Sequence, residues 1–492
     1  MHARNRTWPL GQSPEERCRQ RILPIEGGDG STLTLDFTTG VLDPRLTFTR
    51  TSGGTYTGND GLVYGMDFAT SSLLAIGTGS KSVILTATAG VDRRYLVGQT
   101  VYISNGANNM SGPVTAYNAS TQVLTINATA TSGSGSFISW TVGNASARFD
   151  HDPTTGSPRG LLIEGQSVNL APNSNLQAAW AGFSNTTLTP NTTDVVSPDG
   201  TYNAAKVALT STGYCSRFES IAGLANATTY TFSYWIRGTA GNQQRVYSTT
   251  QSVDLVTQSN LTYTSTGWTR VQITFTSGVA NNTVLIYVAS RPTGTVNDVL
   301  YIWGAQLEVG SAASSHILTG ASQGTRNADH CTMPTSSFVT GPLYPQTLFV
   351  ECIPATPSTA FPDIVRLFDR TAGGTFNYGN EIYYFSAATM SVQRKINSSS
   401  GTDRALASGL TYNTRHKFAT AIDSSSFIGS YDGLTGSGAT TAASALASQV
   451  THLGVGCNGD ATPVSVMFGT VRQIKFYPFA MSQSQLNALT TL

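Results

Sequence analysis

Short runs of alternating apolar and polar residues, broken at intervals by glycine, asparagine, aspartate and proline, predict an all-β chain of several domains. The alternation is strictest in residues 230–238, 268–275 and 284–288. Punctuation is dense, with 49 Gly and 19 Pro in 492 residues, and long helix-forming runs with a 3.6-residue period are missing. At roughly 150 residues per domain the chain holds about three. The expected arrangement is a small β-module inserted in a junction segment, then two antiparallel β-sandwiches, with one short helix near the N-terminus.

Composition narrows the function. Charged residues make up 11% of the chain and the formal net charge is +1, which argues against a nucleic-acid groove or an electrostatically bound acidic partner. The start is basic but leads into Thr7-Trp8-Pro9-Leu10 rather than an apolar run, so no secretory signal is expected. No stretch approaches the length of a membrane span, and membrane insertion is not expected. Cys18, Cys215, Cys331, Cys352 and Cys457 are far apart and form no C-x-x-C pair; free, mostly buried thiols from a reducing cytoplasm are expected. No H-E-x-x-H, G-x-S-x-G or phosphate-binding loop with lysine occurs. Asp150-His151-Asp152 precedes Pro153 and a Thr/Gly cluster, which reads as a turn rather than a metal site. Glu164, Glu219, Glu308 and Glu351 are the candidates for a carboxylate pair of the glycosidase type, but acids are scarce. No cofactor, no metal and no catalytic set are expected.

Taken in order, residues 1–28 stand apart. Ser13-Pro14-Glu15-Glu16 is a capping box with proline at the first helical position, predicting a helix of about two turns over 14–22. Gly27-Gly28-Asp29-Gly30 reads as a hinge. Residues 29–67 and 144–170 form the junction, neither half long enough for a core of its own, and 68–143 form the inserted module of five or six strands. Residues 171–312 make the first sandwich, 313–337 a linker and 338–492 the second sandwich. Ser482 and Gln485 cap a short helix at the end of the chain.

The stretch Phe48-Thr49-Arg50 through Gly61-Leu62-Val63-Tyr64, continued by Arg148-Phe149-Asp150-His151-Asp152-Pro153 and Arg159-Gly160-Leu161-Leu162-Ile163-Glu164-Gly165, resembles a segment of bacteriophage fibre and spike proteins. Trp303-Gly304-Ala305-Gln306-Leu307-Glu308 closes a segment that resembles the carbohydrate-binding-module-like sandwich of phage fibres. The final domain, with Tyr431-Asp432-Gly433 and Ile474-Lys475-Phe476-Tyr477-Pro478, resembles the concanavalin-A-like jelly roll. The resemblance implies a non-enzymatic tail-fibre subunit on the virion surface, made in the host cytoplasm, trimeric, and binding a host-surface glycan or envelope component. A head fibre or decoration protein, and a surface-polysaccharide hydrolase, are the alternatives. On this reading Arg4, Arg6, Trp8, Arg17 and Arg21 anchor the N-terminus to a tail or portal-proximal protein. Trp180, in a loop-like context, and Tyr378, with Asn377 and Asn380 beside it, are the candidate glycan contacts: aromatic faces supply apolar area and amides select hydroxyls. The inserted module is either a glycan or protein contact or a spacer that packs the trimer.

Overall fold

The strand Gly469–Tyr477 buries Val471, Ile474 and Phe476 completely, and three other strands pair with it. A computed structural model describes residues 28–176, 180–183, 185–238, 243–258, 261–278, 282–294, 298–343, 345–355, 362–369, 379–386, 389–397, 400–408, 410–423, 426–436, 450–457 and 465–492. The expected N-terminal helix and the anchor residues Arg4, Arg6, Trp8, Arg17 and Arg21 lie outside the described residues. Regular structure among the described residues is nearly all β-strand, with one α-helix, Gln483–Thr490, capped reciprocally by Ser482 and Gln485.

One edge of Gly469–Tyr477 is filled end to end by the two halves of the junction. Leu33–Asp36 pairs with it from Leu33 opposite Phe476 to Asp36 opposite Gln473, and Pro158–Ile163 continues from Leu161 opposite Val471 to Ile163 opposite Gly469. On its other edge lies Gln346–Pro354, followed by His416–Ile422, Phe427–Tyr431 and Leu434–Thr435. The facing sheet runs from Thr47–Thr49 through His330–Pro334, His452–Val455 and Asp363–Phe368 to Gly379–Ser386, Thr389–Asn397 and Ser400–Ser408. Between them Leu33, Leu35, Leu161 and Ile163 from the junction share one core with Met333, Leu348, Val350, Ile364, Leu453 and Phe476.

This corrects the expected division of the chain. Residues 29–67 and 144–170 are not a separate junction, and 313–337 is not merely a linker, because their strands supply both sheets of the last sandwich. Apolar strands too short to bury themselves find their partners hundreds of residues away, and spacing along the chain does not reveal this. The hinge expected at residues 27–30 is also tied down at Asp29, which accepts from Lys475 Nζ at 2.7 Å and Tyr477 Oη at 3.1 Å.

Both other units are carried on paired incoming and outgoing strands. The first occupies the stretch from Met66–Ala75 to Ser136–Asn144, whose ends pair as Met66 with Gly143. Its sheet has seven strands, and Asn108–Asn118 also pairs with Val123–Ala128, so the sheet closes on itself around Val101, Ile103, Leu124, Ile126, Trp140 and Val142. Gly143 packs on Gly53; a Cβ on Gly53 would stand 2.5 Å from the Gly143 Cα, so glycine permits this backbone approach. The second unit leaves through Ser167–Asn169 and returns through Gly324–Arg326, paired antiparallel. It is a sandwich of two five-stranded sheets around Phe232, Tyr234, Ile236, Val246, Ile286 and Leu300.

Where these stems meet the outer sandwich, charge is buried. Asp329 accepts from Arg50 Nη1 and from Arg148 Nη2, each at 2.6 Å, with all three side chains fully buried. Arg148 and Arg326 hold Glu164 at 2.7 and 3.2 Å, and Ser315 gives Glu164 its amide and hydroxyl at 2.7 and 2.6 Å. Burial, and then repulsion from Arg148, push the Arg50 guanidinium down to about 10. Burial pushes the Glu164 carboxyl up, but Arg326, Arg148 and Ser315 outweigh it and hold the group at about 2. Such a cluster is favourable only while complete, since removing one partner strands an opposite charge. Asp329→Asn is expected to cost about 3–5 kcal/mol, read as a lower midpoint in urea unfolding.

Candidate functional site

The outward face of one sheet in the second unit gathers aromatics that the alternation places there. In Gln244–Ser248, Gln244, Val246 and Ser248 are buried, and Arg245 and Tyr247 between them point the other way. Cross-strand register sets Tyr287 between Phe218 on one neighbour and Arg245 on the other. The Phe218 and Tyr287 rings lie 5.2 Å apart, tilted by 43°. The Arg245 guanidinium stands 5.2 Å from the Tyr247 centroid and 4.8 Å from that of Tyr287. Its Nη1 donates to Tyr214 Oη at 2.8 Å and its Nε to Asp254 Oδ1 at 2.5 Å. Tyr214 is exposed, Phe218 and Tyr247 are partly so, and Tyr287 is buried beneath them. Flat apolar faces edged by a hydroxyl, a guanidinium and a carboxylate suit a sugar, whose C–H faces stack while its hydroxyls hydrogen-bond.

The tryptophans do something else. Trp180 is fully buried and donates from Nε1 to Pro172 O at 3.2 Å; it fills the sandwich core and presents no face to a sugar, which corrects its assignment as a glycan contact. Trp235, Trp268 and Trp303 lie on the outer face of the opposite sheet and pack with Val63 and Val195. Trp303 donates to Asn203 Oδ1 at 2.7 Å and Trp268 to Val196 O at 2.8 Å. These rings join the sandwich to the rest of the chain. Asn380 is corrected in the same way: it is fully buried, with Nδ2 donating to Thr420 Oγ1 at 3.3 Å. Tyr378 and Asn377 lie outside the described residues. Tyr214, Phe218, Arg245, Tyr247 and Tyr287 do not stand out in the sequence, because their strands carry the aromatics singly and only cross-strand register gathers them.

The acids are engaged in holding the fold. Glu164 belongs to the buried cluster, Glu308 accepts from Ser167 Oγ at 2.6 Å and from Ser314, and Glu351 pairs with Arg472 at 2.7 Å. Burial pushes the Glu219 carboxyl up. Asp152 accepts from the amides of Thr154 and Thr155 at 3.0 and 2.9 Å, the backbone bonding of a turn, and Asp150 accepts from Thr57 N at 2.7 Å. The four described cysteines are free and buried.

Residues 173–295 match the family model for a carbohydrate binding domain, a span that contains every residue of the aromatic face. The match supports carbohydrate binding by this sandwich. No curated protein matches the chain. Among solved structures, the carbohydrate-binding module of the Ruminococcus gnavus IT-sialidase bound to α2,3-sialyllactose is 15% identical over 30% of this chain and 83% of its own, at a TM-score of 0.27. Domain 4 of the arabinanase AbnA from Geobacillus stearothermophilus, in complex with arabinotriose, is 12% identical over 33% of this chain and 73% of its own, at 0.27. A tandem module of the Paenibacillus barcinonensis protein Xyn10C is 8% identical over 64% of this chain and 98% of its own, at 0.22. Scores this low carry no argument about fold or ligand.

His316 sits at the seam, 4.6 Å from Trp303 and 5.8 Å from Trp235 between ring centroids. Burial, and then the nearby Arg270 guanidinium, push its imidazole down to about 3. The folded chain therefore keeps His316 neutral while the unfolded chain protonates it below its ordinary value of 6.5. Its contribution is complete above that pH and is lost as pH falls toward 3. In the same direction, the Glu164 contribution is complete above 4.5 and is lost on the way to 2. Urea stability is expected to fall on acidification from pH 6.5, and His316→Gln to flatten the slope between pH 6 and 5 by about 1.4 kcal/mol per pH unit.

Proposed function

We propose that the chain is a non-enzymatic fibre subunit of a bacteriophage virion that adheres to a host-surface glycan through the Tyr214, Phe218, Arg245, Tyr247 and Tyr287 face. The observation that carries the adhesive part is the coincidence of that exposed aromatic and cationic face with the span matching a carbohydrate binding domain. The virion assignment rests on the resemblance of the 48–64 and 148–165 segments to phage fibres. With it come attachment to a tail or portal-proximal protein through the N-terminus and a homotrimer, whose avidity would raise a weak single-site affinity. Binding without cleavage is favoured because Glu164, Glu308 and Glu351 are held by cations or hydrogen-bond donors, which leaves Glu219, whose carboxyl burial pushes up, as the one candidate of the four poised for acid chemistry.

Isothermal titration of the purified chain with oligosaccharides released from host envelope tests the reading. Binding is expected, with Tyr247→Ala about tenfold weaker, or ~1.4 kcal/mol, at an unchanged melting temperature. Release of new reducing ends from those oligosaccharides would overturn the non-enzymatic assignment, and equal binding by Tyr247→Ala would move the site elsewhere.

A further inference from the structure

Between the second unit and the outer sandwich lies a cleft of about 320 Å³ lined on one side by Trp235, Arg270 and His316 and on the other by Thr57, Phe468 and Thr470. The volume falls in the range of small-molecule sites, about 300–1,000 Å³. Arg270 is the group that needs explaining. Its guanidinium lies over the Trp235 ring, 4.4 Å from the centroid, which fixes the plane without using any N–H donor. Among the described residues only Nη2 has a partner, Ser233 Oγ at 3.1 Å, while Nε is buried without one. Arg270 makes no ion pair among the described residues, and burial pushes its pKa down.

Most neighbouring charges are already engaged. Arg50, Arg148 and Arg326 pair with Asp329 and Glu164 in the adjoining network, Glu308 and Glu164 lie close enough to favour the charged form of Arg270, and Glu164 itself lines the cleft. Arg159, also at the wall, is paired with Asp152 at 3.1 Å. Asp150 also lines the cleft; burial pushes its carboxyl up, while the Thr57 amide, donating at 2.7 Å, favours the charged form. The Thr470 hydroxyl is buried without a partner, although its residue lines the same space.

We propose that this cleft is a second binding site, distinct from the aromatic sheet face, for a carboxylate-bearing sugar. Arg270 takes the carboxylate through its free in-plane donors. Trp235 and Phe468 supply apolar wall, and Thr57 and Thr470 meet ring hydroxyls. A bare phosphate or acetate would satisfy the arginine and leave most of the cleft unfilled.

The test is titration of the full chain with digalacturonate, with maltose and inorganic phosphate as separate arms, for the native protein and the Arg270→Gln, Thr470→Val and Tyr247→Ala variants. Digalacturonate is expected to bind and maltose not to. Affinity should fall at least tenfold in Arg270→Gln, fall a few-fold in Thr470→Val, and be unchanged in Tyr247→Ala. Absent binding by the native chain, equal binding of maltose, or full displacement by equimolar phosphate overturns the proposal. So does loss in Tyr247→Ala with retention in Arg270→Gln, which would assign the sugar to the sheet face. Should Arg270→Gln fail to fold, Thr470→Val decides: it removes an unpartnered hydroxyl at nearly constant volume, and unchanged affinity there counts against the site.

Discussion

Asp329 is held by two arginines with no water-exposed side chain among the three, and the architecture turns on that contact. Arg50 follows the strand Thr47–Thr49, Arg148 opens the strand Arg148–His151, and Asp329 precedes His330–Pro334. Each is placed by a strand of the outer sandwich, and each stands where a second unit departs or returns. Arg326, on the returning stem, extends the cluster to Glu164. A buried cluster of this kind is a poor source of net stability, because desolvation offsets most of the Coulombic gain. Its value lies in what it forbids: any other register of the stems leaves a charge stranded in the interior.

The same logic explains where the aromatics went. A sandwich mounted on a two-stranded stem needs a further contact to hold its orientation, and Trp235, Trp303 and His316 supply an apolar seam with edge-to-face and tilted ring pairs. On the opposite sheet Tyr214 is exposed and Tyr247 half-buried, and Arg245 stacks on Tyr247 and on the buried Tyr287 beneath. One sheet of the sandwich is thus committed to the fold and the other is free for a ligand.

The all-β class was legible because alternation over 230–238 and 284–288 depends only on neighbours in sequence. The C-terminal helix was legible for the same reason, its capping box being four residues long. The pairing of Leu33–Asp36 with Gly469–Tyr477 was not, because nothing in either strand names a partner more than four hundred residues away. Trp180 misled because an Ala/Gly/Asn context reads as a loop, while burial is decided by the sheets that close over it. The aromatic face was half legible: Arg245-Val246-Tyr247 alternates plainly, but only register brings Phe218 and Tyr287 beside it.

The last sandwich is discontinuous in sequence. Residues 338–492 alone would lack Leu33, Leu35, Leu161 and Ile163 from their core. At about 1.5–3 kcal/mol for each buried aliphatic side chain, that loss is on the order of 10 kcal/mol, comparable to the net stability of a whole domain. Thermal unfolding of this fragment, followed by circular dichroism, is the most direct measurement. No cooperative transition is expected; a sharp transition with a midpoint near that of the full chain would show residues 338–492 to be self-sufficient.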